Sequence, residues 1–139
     1  MVTPYLVFNG NCKEVLNFYK KVFEIEEIKS MPYGDYVPEG VETPPSDLGT
    51  WILHAEAKIC GANFWFADEI ETLTNGNVVR LSALVPNKKD AQKIFDRLKE
   101  NGIISLPPTE TFYSSFHAAL IDKFGINWNI IAEEAPNAQ

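Results

Sequence analysis

The sequence lacks the features that define several common classes of protein. Its two cysteines, Cys12 and Cys60, are too few for a disulfide framework and have no metal-type spacing. Lys and Arg number 12 against 19 Asp and Glu, and this net charge of −7 argues against a nucleic-acid partner. No run approaches the roughly 20 apolar residues of a membrane helix, and a strand pattern stands where a signal peptide would. We therefore expect a cytoplasmic protein that binds neither membranes nor nucleic acids.

The two halves of the sequence resemble each other. The chain has 139 residues, 45% of them hydrophobic, which suffices for a buried core. Residues 15–23 and 91–99 both carry an apolar stripe of helical spacing, and Asn11 aligns with Asn87 at the predicted helix starts. Gly61 aligns with Gly125 before the last strand of each half. A repeat of this length is one supersecondary unit used twice.

Each half predicts the element order β-α-β-β-β. The first module is assigned to residues 1–67, a polar linker to 68–77 and the second module to 78–139. Asn11 and Glu14 have the spacing of a capping box. Residues 32–49, with four prolines, predict a long loop whose Tyr33 and Tyr36 would cover a ligand; residues 107–113 predict a second loop.

Several short segments carry a family resemblance: residues 4–12, Phe18-Tyr19, His54-Ala55-Glu56, Glu110-Thr111-Phe112 and, as the most specific, Asp122-Lys123-Phe124-Gly125 before Trp128. Together with the two modules, they resemble the PhnB-type subfamily of the vicinal oxygen chelate superfamily. That superfamily includes glyoxalase I, extradiol dioxygenases and bleomycin-resistance proteins, which work by sequestration. Such proteins often carry a demethylubiquinone methyltransferase label, yet no glycine-rich nucleotide loop follows a strand here.

The resemblance implies an α+β fold in which two tandem βαβββ modules form a curved mixed sheet, an open-barrel cup with the helices outside. It also implies a homodimer. In metal-using members, four ligands come from the first and last strands of the modules, and these positions correspond to Pro4, Trp65, Arg80 and Asn129. Proline and tryptophan side chains cannot ligate, arginine does not in practice, and asparagine is a weak ligand. We therefore expect no metal and no cofactor.

Side chains on the same faces as those four positions are expected to line the cup. Arg80 would bind a carboxylate or phosphonate, unless it forms an ion pair with Glu56 or with an acidic residue of a loop. Trp65 would stack on a ligand, while His54 as general base with Glu56 as its orienter is the catalytic candidate. Cys12, at a helix start, would be either activated or simply buried. The predicted ligand-binding residues are Phe8, His54, Glu56, Trp65, Arg80, Ser82, Phe112, Asn127 and Asn129.

The leading hypothesis is a metal-free protein that binds a small anionic or aromatic molecule in the cup between its modules. The first alternative is a lyase, isomerase or dioxygenase that uses a divalent metal with displaced ligands from His54, Glu56, His117 and Asn129. The second alternative is a dimeric interaction module whose cup is filled by bulky side chains. Whether the protein is an enzyme is left open by the sequence.

Overall fold

The computed structural model describes residues 1–34 and 50–136, and the chain divides into two compact units, Met1–Thr74 and Asn75–Gln139. Unit 1 contains β1 (Tyr5–Phe8), α1 (Cys12–Phe23), β2 (Ile28–Pro32), β3 (Ile52–Ile59) and β4 (Ala62–Asp68). Unit 2 contains β5 (Leu81–Val85), α2 (Lys88–Leu98), β6 (Ile103–Thr109), β7 (His117–Ile121) and β8 (Asn127–Ala132). The order β-α-β-β-β therefore occurs twice.

Each unit holds one four-stranded mixed sheet. The strand order is β1-β4-β3-β2 in unit 1 and β5-β8-β7-β6 in unit 2. The first strand runs parallel to the last one in both sheets, and the other neighbours are antiparallel. The two sheets have one topology, which confirms the repeat and the predicted α+β class of two βαβββ modules.

One face of each sheet is covered by the helix of its own unit. The helix α1 packs against β3 and β4, where the Tyr19 and Phe66 rings lie 6.3 Å apart. The helix α2 packs against β5 and β8, and Phe95 meets Phe116 edge to face at 6.0 Å. Alternation along each strand then sends the remaining side chains to the other face, which no described helix of the same unit covers. We call these the open faces.

Asp68 joins three elements of unit 1 at the end of β4. Its side chain is fully buried, and its Oδ1 accepts hydrogen bonds from the backbone N–H groups of Gly10 (2.8 Å) and Cys12 (3.0 Å). Its Oδ2 accepts another from Ile52 N at 2.8 Å. Burial raises the pKa of Asp68, against the opposing effect of these three donors. A single carboxylate thus fixes the starts of α1 and β3.

These contacts correct two predictions about unit 1. Asn11 makes no side-chain capping bond, so the capping box with Glu14 is wrong and the distant Asp68 serves the helix start instead. Asp68, predicted to begin a linker, is the last residue of β4. In unit 2 the corresponding prediction is confirmed, since Asn87 Oδ1 accepts from Asp90 N at 2.9 Å.

Asp122 explains the most specific motif of the sequence. Its Oδ1 accepts from the backbone N–H groups of Phe124 (2.9 Å) and Ile126 (3.1 Å), which shapes the turn between β7 and β8. Its Oδ2 accepts from the indole nitrogen of Trp128 at 2.9 Å. The spacing of the aspartate and the tryptophan is therefore structural, because the turn that the carboxylate organises also satisfies the buried indole.

The two predicted loops differ from the structure. The strand β6 continues through Pro107 and Pro108 to Thr109, in an irregular stretch at the edge of its sheet where a missing N–H is tolerated. Pro32 ends β2, and Tyr33 is a core residue whose hydroxyl donates to the Asp68 carbonyl at 2.8 Å, so it does not cover a ligand. Tyr36 and most of the 32–49 loop lie outside the described residues. No helix in the described parts of the chain is long and apolar enough to cross a membrane.

Replacing Asp68 by asparagine should lower the free energy of unfolding by about 1–3 kcal/mol. In either amide orientation an NH₂ group would face at least one of the three backbone donors. Glu27→Gln removes the same charge at an exposed position, and its effect should stay within about 0.5 kcal/mol. Urea unfolding of both variants provides the measurement, and equal stabilities would contradict the role given to Asp68.

Candidate functional site

The open face of unit 1 carries an exposed aromatic cluster, formed by Tyr5, His54 and Trp65. The His54 and Trp65 rings meet edge to face at 5.2 Å, and Tyr5 lies 6.1 Å from Trp65 and 6.4 Å from His54. Tyr5 and Trp65 are 47% and 41% exposed. Large aromatic side chains are usually buried, so a cluster of this kind offers a surface on which a flat molecule can stack.

A carboxylate adjoins the aromatic cluster. Glu56 is the cross-strand partner of Trp65, and its Oε1 lies 3.5 Å from Nε2 of His54. The two residues predicted as base and orienter are therefore neighbours. Burial raises the pKa of Tyr5, with a smaller contribution from the Glu69 carboxylate, so this ring presents a neutral phenol at neutral pH.

Phe8 is not on the open face, contrary to prediction. It is buried, and Tyr5 takes the place beside Trp65 because these two residues pair in the β1–β4 register. The reason is the length of the connection before the helix, which spans residues 9–11 in unit 1 and only 86–87 in unit 2. One extra residue reverses which side chains of the strand face outward. The alignment of the repeats by their helix starts concealed this shift.

The open face of unit 2 carries a hydrogen-bonded row of Tyr113, His117 and Asn129. The Tyr113 hydroxyl lies 2.6 Å from Nδ1 of His117, and Nε2 of the same ring lies 3.0 Å from Oδ1 of Asn129. Phe112 is 93% exposed and meets the Tyr113 ring edge to face at 5.2 Å. Ser82 pairs with Asn129 across β5 and β8, so it shares this face as predicted from strand alternation.

The two histidines occupy equivalent positions in the repeat. The outward-facing residue on the last strand is Trp65 in unit 1 and Asn129 in unit 2. Trp65 pairs with Glu56 and Asn129 pairs with Ala119 on the neighbouring strand. Each histidine stands two residues before that partner. The sequence predicted His117 only as a displaced metal ligand, and neither Tyr113 nor Tyr5 was among the predicted ligand-binding residues. Alignment of the third strands, rather than the helices, would have paired the histidines.

The other predicted residues lie near the start of the sheet of unit 2. Arg80 is exposed just before β5 and donates from Nε to the Asn77 carbonyl at 3.2 Å. Asn127, the first residue of β8, donates from Nδ2 to the Gly76 carbonyl at 3.0 Å. Both side chains thus fix the segment that leads into β5.

The donor set does not fit a divalent ion. Of the four positions implied for metal ligands, Pro4 and Trp65 have no suitable donor, Arg80 is cationic, and the Asn129 oxygen is engaged by His117. Within residues 1–34 and 50–136, no three His, Cys, Asp or Glu side chains lie close enough to hold a metal.

Cys12 is a buried structural residue. Its side chain is inaccessible, and burial together with the nearby Asp68 carboxylate raises the pKa of the thiol. A raised pKa disfavours the reactive thiolate, so the alternative of an activated helix-start cysteine is wrong. Cys60 lies exposed at the turn between β3 and β4.

The two-module architecture is the vicinal oxygen chelate fold, which solved glyoxalase and bleomycin-resistance-type structures share. The crystal structure of PA1353 from Pseudomonas aeruginosa matches with a TM-score of 0.81 and 26% identity, covering 96% of this chain and 97% of that chain. The PhnB protein of Bacillus cereus matches with a TM-score of 0.66 and 22% identity, covering 94% and 98%.

Sequence comparison assigns the family. The model described as 3-demethylubiquinone-9 3-methyltransferase matches residues 1–131. Protein YjdN of Escherichia coli strain K12 is 27% identical over 138 residues, which cover 93% of this chain and 92% of that protein. The chain belongs to this PhnB-like family, as the sequence resemblance indicated.

The native protein should expose a single reactive thiol. Cys60 should react with a thiol reagent such as Ellman's reagent at mildly alkaline pH, whereas Cys12 should react only after unfolding, because it is buried. Cys60→Ser should abolish the native reaction, and Cys12→Ser should leave it unchanged. Rapid native labelling of the Cys60→Ser protein would show that Cys12 is accessible.

Proposed function

We propose that this PhnB-like protein binds a small anionic or aromatic molecule through side chains of its open faces, without a metal. The observation that carries the proposal is the exposed cluster of Tyr5, His54 and Trp65. Two edge-to-face contacts hold these rings in place, so a ligand ring can stack on Trp65 without first ordering it. The neighbouring Glu56 supplies an acceptor for a polar group of the ligand.

An anionic molecule would be bound separately, by side chains of unit 2. Arg80 is exposed, and a guanidinium binds carboxylates and phosphonates through paired hydrogen bonds. Ser82 and Asn129 add neutral hydrogen-bonding groups on the same sheet. A few polar anchors beside apolar surface are typical of small-molecule sites.

The activities of related proteins receive less support. We do not propose the methyltransferase activity in the family's description, because no glycine-rich nucleotide loop follows a strand of this sequence. A metal-dependent lyase, isomerase or dioxygenase would need a donor set that the described residues do not bring together.

A homodimer remains part of the proposal. It is supported by the exposed isoleucines Ile103 and Ile104 on β6, which is an edge strand of its sheet. An edge strand with apolar side chains and unpaired backbone groups is suited to contact a second copy.

Benzoate and phenylphosphonate, as probes, should quench the tryptophan fluorescence of the native protein. Trp65→Leu should raise the apparent Kd about tenfold or more, since it removes the stacking surface. Trp51→Phe is the matched control, because Trp51 is half-buried and its ring faces Tyr33 rather than the open-face cluster. Arg80→Gln should weaken the binding of inorganic phosphate to unit 2, measured separately by calorimetric titration.

Thermal unfolding separates a lost site from a lost fold. Trp65 is exposed, so Trp65→Leu should melt close to the native protein. Unchanged affinity in that variant would contradict the proposed site, as would an equal loss in Trp51→Phe.

A further inference from the structure

We propose that Tyr113, His117 and Asn129 form a proton-transfer site, in which the Tyr113 hydroxyl is the reactive group and His117 accepts its proton. The inference lies within unit 2 and does not depend on ligand binding at Trp65. It is carried by two hydrogen bonds to opposite nitrogens of one imidazole, at 2.6 Å to Tyr113 and 3.0 Å to Asn129.

The Asn129 contact determines which nitrogen of His117 carries the proton. The amide Oδ1 can only accept, so Nε2 is protonated and donates to it. In the neutral ring Nδ1 then holds a lone pair, and the Tyr113 hydroxyl donates to that nitrogen. The two hydrogen bonds are therefore donated in the same direction, from the Tyr113 hydroxyl to Nδ1 of His117 and from Nε2 of His117 to Asn129. This is the arrangement in which a general base activates a hydroxyl group.

The Tyr113–His117 bond is not needed to hold the chain between β6 and β7. Ser114 already does so, because its buried hydroxyl donates to the Ala132 carbonyl at 2.6 Å and accepts from Phe116 N at 3.1 Å. The Ser114 carbonyl also accepts from the backbone N–H of Thr111 at 2.9 Å. The Tyr113–His117 bond adds to these contacts, and it places a hydroxyl group against a ring nitrogen.

Tyr113 is accessible to a ligand. Its side chain is 47% exposed, and the fully displayed ring of Phe112 lies beside it. Within residues 1–34 and 50–136, the equivalent His54 has no such partner, since its Nε2 faces the Glu56 carboxylate and its contact with Tyr5 is between rings. In that part of the chain the phenol relay is found in unit 2 alone, and the Phe112 ring would pack against the apolar part of a bound molecule.

The substrate class is a small molecule with an acidic hydroxyl or enol group. The ligand O–H gives its proton to the Tyr113 oxygen while the phenol proton moves to Nδ1 of His117. The products are a ligand oxyanion and an imidazolium that still donates from Nε2 to Asn129. The proton count is unchanged, and no other reactant is required.

An arylsulfonyl fluoride tests the relay without knowledge of the substrate. The Tyr113 oxygen would attack sulfur, the S–F bond would break, fluoride would leave, and the phenol proton would pass to His117. Tyr5 is an internal reference, since it is equally exposed at 47% and its contact with His54 is between rings. Because burial and the Glu69 carboxylate raise the pKa of Tyr5 and so slow its labelling, the decisive comparison is Tyr113 with and without His117. Peptide mass spectrometry of native protein should show Tyr113 labelled at least roughly tenfold faster than Tyr5.

His117→Ala should slow labelling of Tyr113 about tenfold, and added imidazole should restore part of the loss. Asn129→Ala should slow it several-fold, because Nε2 protonation is then no longer enforced. Labelling of Tyr5 should stay constant in both variants, which separates a lost relay from a lost fold. Equal labelling of the two tyrosines in the native protein, or no effect of His117→Ala, would overturn the proposal.

Discussion

The buried carboxylate of Asp68 determines the geometry of the first unit. A fully buried charge is tolerated only where donors surround it, and here three backbone N–H groups from two separate segments do so. This fixes where α1 begins relative to the end of β4, and with it the three-residue connection after β1. The length of this connection decides which side chains of β1 face outward, so Tyr5 rather than Phe8 lies beside Trp65. The position of the aromatic cluster therefore depends on Asp68, which is not itself part of the cluster.

The second unit reaches the same topology by other contacts. β8 ends at Ala132, which cannot accept hydrogen bonds through its side chain. Instead, Glu134 Oε1 accepts from Lys88 N at 2.8 Å at the start of α2. The Ser114 hydroxyl donates to the Ala132 carbonyl, just as the Tyr33 hydroxyl donates to the Asp68 carbonyl in unit 1. The repeat thus preserves the positions that need hydrogen bonds rather than the residues that supply them.

Local patterns predicted the fold, whereas distant contacts decided the site. The helical stripes, the alternating strands and the Asn87 cap involve neighbours in sequence, and all of them are found in the structure. Asp68 was missed because its partner Cys12 is 56 residues away. Phe8 was misplaced by a single residue in a connection, and no sequence period reports such an insertion. The hydrogen bonds of the His117 ring to Tyr113 and Asn129 join three different segments of the chain, so the sequence did not predict them.

The positions implied for metal ligands have acquired other roles. Trp65 belongs to the aromatic cluster of unit 1, and Asn129 forms a hydrogen bond with His117 in unit 2. The stacking and proton-transfer groups that we propose therefore include two of the positions that the family resemblance implied for metal ligands. This substitution is the central claim, and elemental analysis of untagged protein, equilibrated with a mixture of divalent metals and then freed of excess, tests it most directly. The account predicts far less than one metal ion per chain. A stoichiometric ion that His54→Ala or His117→Ala removes would contradict it.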